Sequence, residues 1–210
     1  MSYAVAVPTV RTYRQRARVD AAEARRQGVL DTTIDLLASE PLPKVTLDAV
    51  ARHAGVARST VYVQFGSRAG LFEAVAERLL VRVEFDRLGA AVRRPDPREA
   101  LREAMRESVR LYAAERDVAR ALWSWADLDQ DAGRAITVLD GGRADGTRHL
   151  VRRLARAGAL RPGLSVAAAS DALYLLTSFD AFDTLRTERR LGVAAVTDRL
   201  TDMVERLLLT

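Results

Sequence analysis

Between Thr46 and Leu71 the chain reads TLDAVARHAGVARSTVYVQFGSRAGL, and no other stretch constrains its fold as much. Two short helical segments flank Ala54-Gly55-Val56. The glycine stands where the chain must turn sharply, the valine can tuck between the helices, and Ala51 is small enough to let them pack closely. That is helix-turn-helix spacing. Thr46 is a fitting N-cap for the first segment, with Asp48 in the first turn, where a negative group suits the helix dipole. The second runs from about Arg58 to Phe65, and Gly66 follows as a terminating glycine.

The rest of the chain is punctuated as helices too. Asp20 opens a first helix, with Glu23 at capping-box spacing and Leu30, Ile34 and Leu37 on one face. Pro41 and Pro43 stop it. Ser67 caps a fourth helix, expected to reach about Leu88, that carries Phe72, Ala76, Leu79 and Val83 on one stripe. After a break at Arg93–Pro97, helices fit 97–115, 117–129, 132–158, 166–187 and 193–209. Gly141, Gly142 and Gly146 are candidates to kink or split the third of these. Strand-like alternation and internal repeats are lacking, so the expected class is all-α.

Composition narrows the function classes. The 210 residues are 49% hydrophobic and 29% charged, enough for a buried core. No apolar run approaches the roughly 18 residues of a membrane span, and Met1 to Pro8 is too short and too weakly apolar for a signal peptide. A membrane partner is therefore not expected. The chain has no cysteine, which removes disulfides and thiolate metal sites and fits a reducing cytoplasm. His53 and His149 are its only histidines, and no cofactor or metal site is expected. There is no G-x-S-x-G elbow or P-loop, and Gly141-Gly142-x-x-x-Gly146 follows no strand. Asp127, Asp129 and Asp131 alternate without the glycine and terminal Glu of a calcium loop, and read as a solvated helix end. An enzyme is not expected.

Charge points elsewhere. The net charge is +5, of which residues 1–70 carry +4 from ten basic and six acidic groups. Arg11, Arg14, Arg16 and Arg18 fall within eight residues without an acid, which reads as a solvated tail or as a basic arm that touches DNA. In a helix-turn-helix the second helix enters the major groove. Here it offers Arg58 for guanine, Gln64 for adenine or a phosphate, and the hydroxyls of Ser59, Thr60 and Tyr62.

The segment resembles the TetR family of bacterial transcriptional regulators. That family's motif runs Thr, an Ala-Gly-Val turn, Thr-x-Tyr-x-x-Phe, a Lys or Arg, then Leu. Here these are Thr46, Ala54-Gly55-Val56, Thr60-Val61-Tyr62, Phe65, Arg68 and Leu71. The resemblance implies an N-terminal three-helix DNA-binding domain and a C-terminal helical domain for ligand binding and dimerisation. The expected division is a basic arm over 1–19, the helix-turn-helix domain over 20–66 and the remainder over 67–210. Thr46 then falls where the family contacts phosphate, Thr60 and Tyr62 where it meets phosphate or base edges, and Arg68 where it grips the DNA backbone. Arg58, Ser59 and Gln64 match positions that set operator sequence, and Phe65 a core position. Two residues depart from the pattern. Ala57 stands where a Ser N-cap is usual, a loss of about 1 kcal/mol, and Val63 stands where a polar or aromatic residue is frequent.

The last two-thirds carry coarser signals. Val193, Val196, Leu200, Met203 and Leu207 form a seam at steps of three and four, and Leu173, Thr177, Ala181 and Leu185 a stripe at steps of four. These stripes either fill the monomer core or pair with a twofold mate as a four-helix bundle, and the resemblance implies the dimer. Tyr112, Trp123, Trp125, Tyr174, Phe179 and Phe182 read as core or as the wall of an effector pocket, with Asp180 and Asp183 favouring a cationic or hydrogen-bond-donating ligand if they point inward. The expected function is a ligand-responsive repressor that binds a palindromic operator as a homodimer. The alternatives are a DNA-binding regulator without an effector, or an activator.

Overall fold

The computed structural model describes residues 10–210, with side chains from Arg18 onward. Within them the chain is helical. The first helices are α1 (Val10–Ser39), α2 (Leu47–His53), α3 (Arg58–Phe65), α4 (Arg68–Arg82), α5 (Asp86–Val92) and α6 (Pro97–Ala114). They are followed by α7 (Arg116–Trp125), α8 (Gln130–Asp140), α9 (Arg143–Arg156), α10 (Val166–Leu176), α11 (Phe179–Thr187) and α12 (Val193–Leu208). A single 3-10 turn, Leu42–Lys44, joins α1 to α2. Among the described residues no helix is long and apolar enough to cross a membrane.

Four boundaries differ from the sequence reading. Helix α1 already includes Val10 rather than starting at Asp20, because Arg, Gln and Ala between them are good helix formers and nothing interrupts the run. Residues 10–19 therefore extend α1 instead of forming a separate arm. The first nine residues of that proposed arm, and the side chains of Arg11, Arg14 and Arg16, lie outside the described residues. Helix α4 ends at Arg82, short of Leu88. Glu84 takes a left-handed conformation (φ 52°), and the Phe85 N–H turns back to the Leu80 carbonyl at 3.0 Å. The expected 132–158 helix splits into α8 and α9 at Gly141-Gly142. The expected 166–187 helix splits at Ser178, whose hydroxyl accepts from the Ala181 N–H and opens α11.

Two apolar cores form. One packs Leu30, Ile34 and Leu37 of α1 with Val50 of α2, Val61 of α3 and Phe72 of α4, and extends to Val118, Leu122, Ala132 and Ala135 of α7 and α8. The other joins Leu101 and Met105 of α6 to Leu150 and Leu154 of α9, Phe182 of α11 and Val196 of α12. Trp123 packs against both. A division at residue 66 thus does not coincide with a break in packing: α4, α7 and α8 share the core of the N-terminal helices.

Candidate nucleic-acid interface and effector cavity

Helix α3 is held from one side only. Val61 is fully buried and Phe65 packs on the N-terminal core under the guanidinium of Arg26, 5.2 Å from its ring centre. Gly55 makes the turn before it in the left-handed region (φ 65°), where a side chain would be strained. Gly70 sets the turn after it. A Cβ there would lie 2.2 Å from the Phe65 carbonyl oxygen, so only glycine lets the start of α4 close on the end of α3.

The opposite face of α3 is open. Arg58, Ser59, Tyr62 (61% exposed) and Val63 (83% exposed) stand at i, i+1, i+4 and i+5, a single outward strip. Arg58 makes only a solvent-exposed ion pair with Asp48 at 3.2 Å, which costs little to exchange for another partner. Thr60 is half-buried beside this strip, and Thr46 is exposed while its hydroxyl caps α2 by accepting from the Ala49 N–H at 3.2 Å. Gln64 is half-buried with its Oε1 shielded and unpartnered, so it is not displayed like Arg58. Ala57 caps α3 with no side-chain bond, as its identity requires. His53 Nδ1 turns back to the Ala49 carbonyl at 2.8 Å, away from the strip.

Val63 is the residue that the sequence reading discounted. It counted as a lost polar contact, yet its side chain is among the most outward on α3. An exposed methyl-bearing side chain on a groove-facing helix suits the C5-methyl of thymine.

Arg68 requires a correction. It is not free to grip a DNA backbone, because its guanidinium is fully engaged within the chain. Nε donates to the Val45 carbonyl at 2.8 Å and Nη2 to that of Leu42 at 3.2 Å. Nη1 reaches both Asp129 oxygens at 3.0 and 2.9 Å and Asp131 Oδ2 at 3.0 Å. The group also lies 4.4 Å above the Phe72 ring. Asp129 and Asp131 are therefore not a solvated helix end. Burial pushes the Asp129 carboxyl up, but the Ala132 N–H and the Arg68 guanidinium outweigh it and hold it below the ordinary carboxylate range. This clasp ties the turn before α2 and the start of α4 to the start of α8.

The far end of α4 borders a cavity of about 510 Å³ enclosed by α4 to α10. Leu79, Leu80 and Val83 form one wall, Met105 and Tyr112 another, and Trp123 a third. Tyr112 donates to the Thr177 carbonyl at 3.3 Å, and burial raises its pKa. Of the six residues expected around a pocket, Tyr112 and Trp123 line this one. Trp125, two residues on, faces the N-terminal core instead. Phe179 is buried in the other core, edge-on to Tyr112, and Asp180 is exposed. Tyr174 lies outside, stacked 3.6 Å from the Arg143 guanidinium and bonded to Asp140 at 3.2 Å. Asp183 pairs with Arg116 at 2.7 Å and with Arg120 at 3.4 Å, so neither acid favours a cationic guest.

The expected dimer stripe also needs correcting. Leu173, Thr177, Val196 and Leu200 are buried in the chain's own core and Ala181 is half-buried against it. A step of four along α12 keeps one face inward: Val196, Leu200, Val204 and Leu208. Met203 (43% exposed) and Leu207 (40% exposed) stay outside, and Leu175 of α10 is more open still.

The profile described as "Bacterial regulatory proteins, tetR family" matches residues 29–75, the stretch that builds α2, α3 and their supports. Over that stretch the chain is similar to the TetR family. The HTH-type transcriptional regulator AlkX of Mycobacterium tuberculosis is 44% identical over 70 residues, covering 31% of this chain and 33% of AlkX. The uncharacterised regulator TtgW of Pseudomonas putida is 39% identical over 61 residues, covering 28% of this chain and 46% of TtgW. The similarity thus spans less than half the length of either relative. Likeness of fold extends much further. NalD, the secondary repressor of the MexAB-OprM multidrug efflux pump in Pseudomonas aeruginosa, superposes with a TM-score of 0.67 at 24% identity over 90% of this chain and 98% of its own. SmeT, solved in complex with triclosan, superposes with a TM-score of 0.72 at 15% identity over 89% of this chain and 92% of its own.

Proposed function

We propose that this protein is a ligand-responsive transcriptional repressor that binds a palindromic DNA operator as a homodimer. The observation that carries the reading is the outward strip Arg58, Ser59, Tyr62 and Val63 on a helix anchored from behind by Val61 and Phe65. One such strip reads few base pairs, and a twofold mate supplies the second half-site about one helical turn away. Leu175, Met203 and Leu207 form the apolar face of α10 and α12 through which two copies would meet. The cavity supports an effector, because its wall includes the end of α4 and its volume suits a small organic molecule. Of two proteins similar in fold, NalD is a repressor and SmeT was solved in complex with triclosan.

The test is footprinting on the DNA flanking the protein's own gene, followed by titration of the protected duplex. Two half-sites about 10 base pairs apart are expected. Arg58→Ala should cost about 1–3 kcal/mol on that duplex and relax base preference at one position in each half-site. Equal affinity for the protected and a scrambled duplex would overturn the proposal.

A further inference from the structure

The charges around the cavity indicate what it holds. Its walls are mainly aliphatic and aromatic, and the acids among them are already matched. Glu115 takes Arg82 at 2.8 Å. Asp140 accepts both from the Arg143 guanidinium and from the Tyr174 hydroxyl. Asp145 takes Arg148 at 3.0 Å. The hydroxyl of Thr147 donates to the Arg143 carbonyl at 2.9 Å. The Trp123 ring is occupied by Tyr112 and Phe179, at 6.1 and 5.0 Å. An organic cation would meet neither a free carboxylate nor an open aromatic cage.

Two basic side chains on the wall are different. Arg93 and His149 are exposed, border the cavity and make no ion pair among the described residues. The Arg93 guanidinium lies back along α5, where a Cβ on Gly89 would sit 3.1 Å from its Nη1, and Gly89 itself borders the cavity. His149 is on α9, one turn before Arg153. Arg153 donates to the carbonyls of Val92 and Pro95, which lays that face of α9 along the end of α5. Both bases thus line the cavity on the two elements, the end of α5 and α9, that Arg153 ties together.

We propose that the cavity takes an amphiphilic anion, an aliphatic chain seated among Leu79, Val83, Met105 and Leu150 whose carboxylate or sulfate head is met by Arg93 and His149. The inference rests on the effector reading above and specifies its ligand class. Burial of the chain supplies the affinity, and a guanidinium that no carboxylate has claimed supplies the choice of head.

The test is calorimetric titration of the full chain, below micellar concentrations, with dodecanoate, dodecyl sulfate, dodecanol and dodecyltrimethylammonium. The two anions should bind at least tenfold more tightly than the alcohol or the ammonium, at one per chain. Arg93→Gln should weaken dodecanoate at least fivefold and leave dodecanol within twofold; His149→Gln should act in the same direction. Both positions are exposed, and circular dichroism of each variant should match the parent. Operator affinity measured with saturating dodecanoate separates the two readings. Binding with the anion preference but no change in operator affinity supports this ligand class and removes effector control. Binding of all four chains alike, or equal weakening of alcohol and carboxylate by Arg93→Gln, overturns the ligand class while leaving an effector cavity. Binding by none overturns the ligand class.

Discussion

Ala57 has the extended backbone of an N-cap (φ −68°, ψ 145°) and no side-chain atom for the N–H groups of the first turn of α3. Ala57→Ser should therefore stabilise the protein by about 1 kcal/mol, read as a higher midpoint in urea with an unchanged slope. Gly70 is the opposite case. Its Cα faces the Phe65 carbonyl, and Gly70→Ala must push α3 and α4 apart at about 1–3 kcal/mol. Denaturation and duplex titration should both report the change, because the displaced helix carries the outward strip. The first of these residues was legible in the sequence, since a cap is a local matter. The second was not: Gly70 has an ordinary φ and sits in an ordinary helical pattern, and only the approach of two helices shows why it is glycine. Arg68 was half legible. Its place at the start of α4 followed from the motif, but its partners lie 61 and 63 residues away, and no spacing rule spans that distance.

At the scale of elements, the clasp decides how α4 is held. Asp129 and Asp131 belong to α8 and its cap, Leu42 and Val45 to the turn before α2, and all converge on one guanidinium. Arg68→Ala would leave two part-buried carboxylates and two carbonyls without their donor, at a cost of about 3 kcal/mol. The expected result is a loss of stability, with any effect on DNA following from it. Acid should act on the same bond. The folded-state pKa of Asp129 is depressed, so its contribution is present above the ordinary Asp range and is lost as pH falls through the folded value. Asp129→Asn should flatten that acid-side decline in an equilibrium denaturation series taken from pH 6 to pH 3. Element boundaries followed how the chain marks them. Gly141-Gly142 announced the split between α8 and α9. The break between α10 and α11 carries neither glycine nor proline, only Ser178, which reads as an ordinary interior residue until its hydroxyl is seen capping α11. The four-step stripe across 173–185 nonetheless runs inward on both sides of the break, with Leu173 and Thr177 buried and Ala181 and Leu185 packed against the same core.

For the whole molecule, the two faces of α12 separate stability from the proposed assembly. Met203→Glu should leave the fold intact and shift light scattering at micromolar concentration from a dimer to a monomer, with operator binding falling alongside. Leu200→Glu, by contrast, would bury an unpaired charge in the chain's own core and abolish folding. A Met203→Glu protein that stays dimeric would place the interface elsewhere. The all-helical class and the helix-turn-helix spacing were visible in the sequence, whereas the sharing of one core by α1 to α4 with α7 and α8 was not, because nothing local marks a helix as belonging to a distant neighbour. That sharing limits what can be transplanted. The 47 residues matched by the family profile look like an exchangeable cassette. A chimaera that moved them onto another regulator's body would arrive without Val118, Leu122, Ala132 and Ala135 beneath Phe72, and without the acids that hold Arg68. For the proposed regulator, new operator specificity is better sought by changing the outward strip of α3 in place.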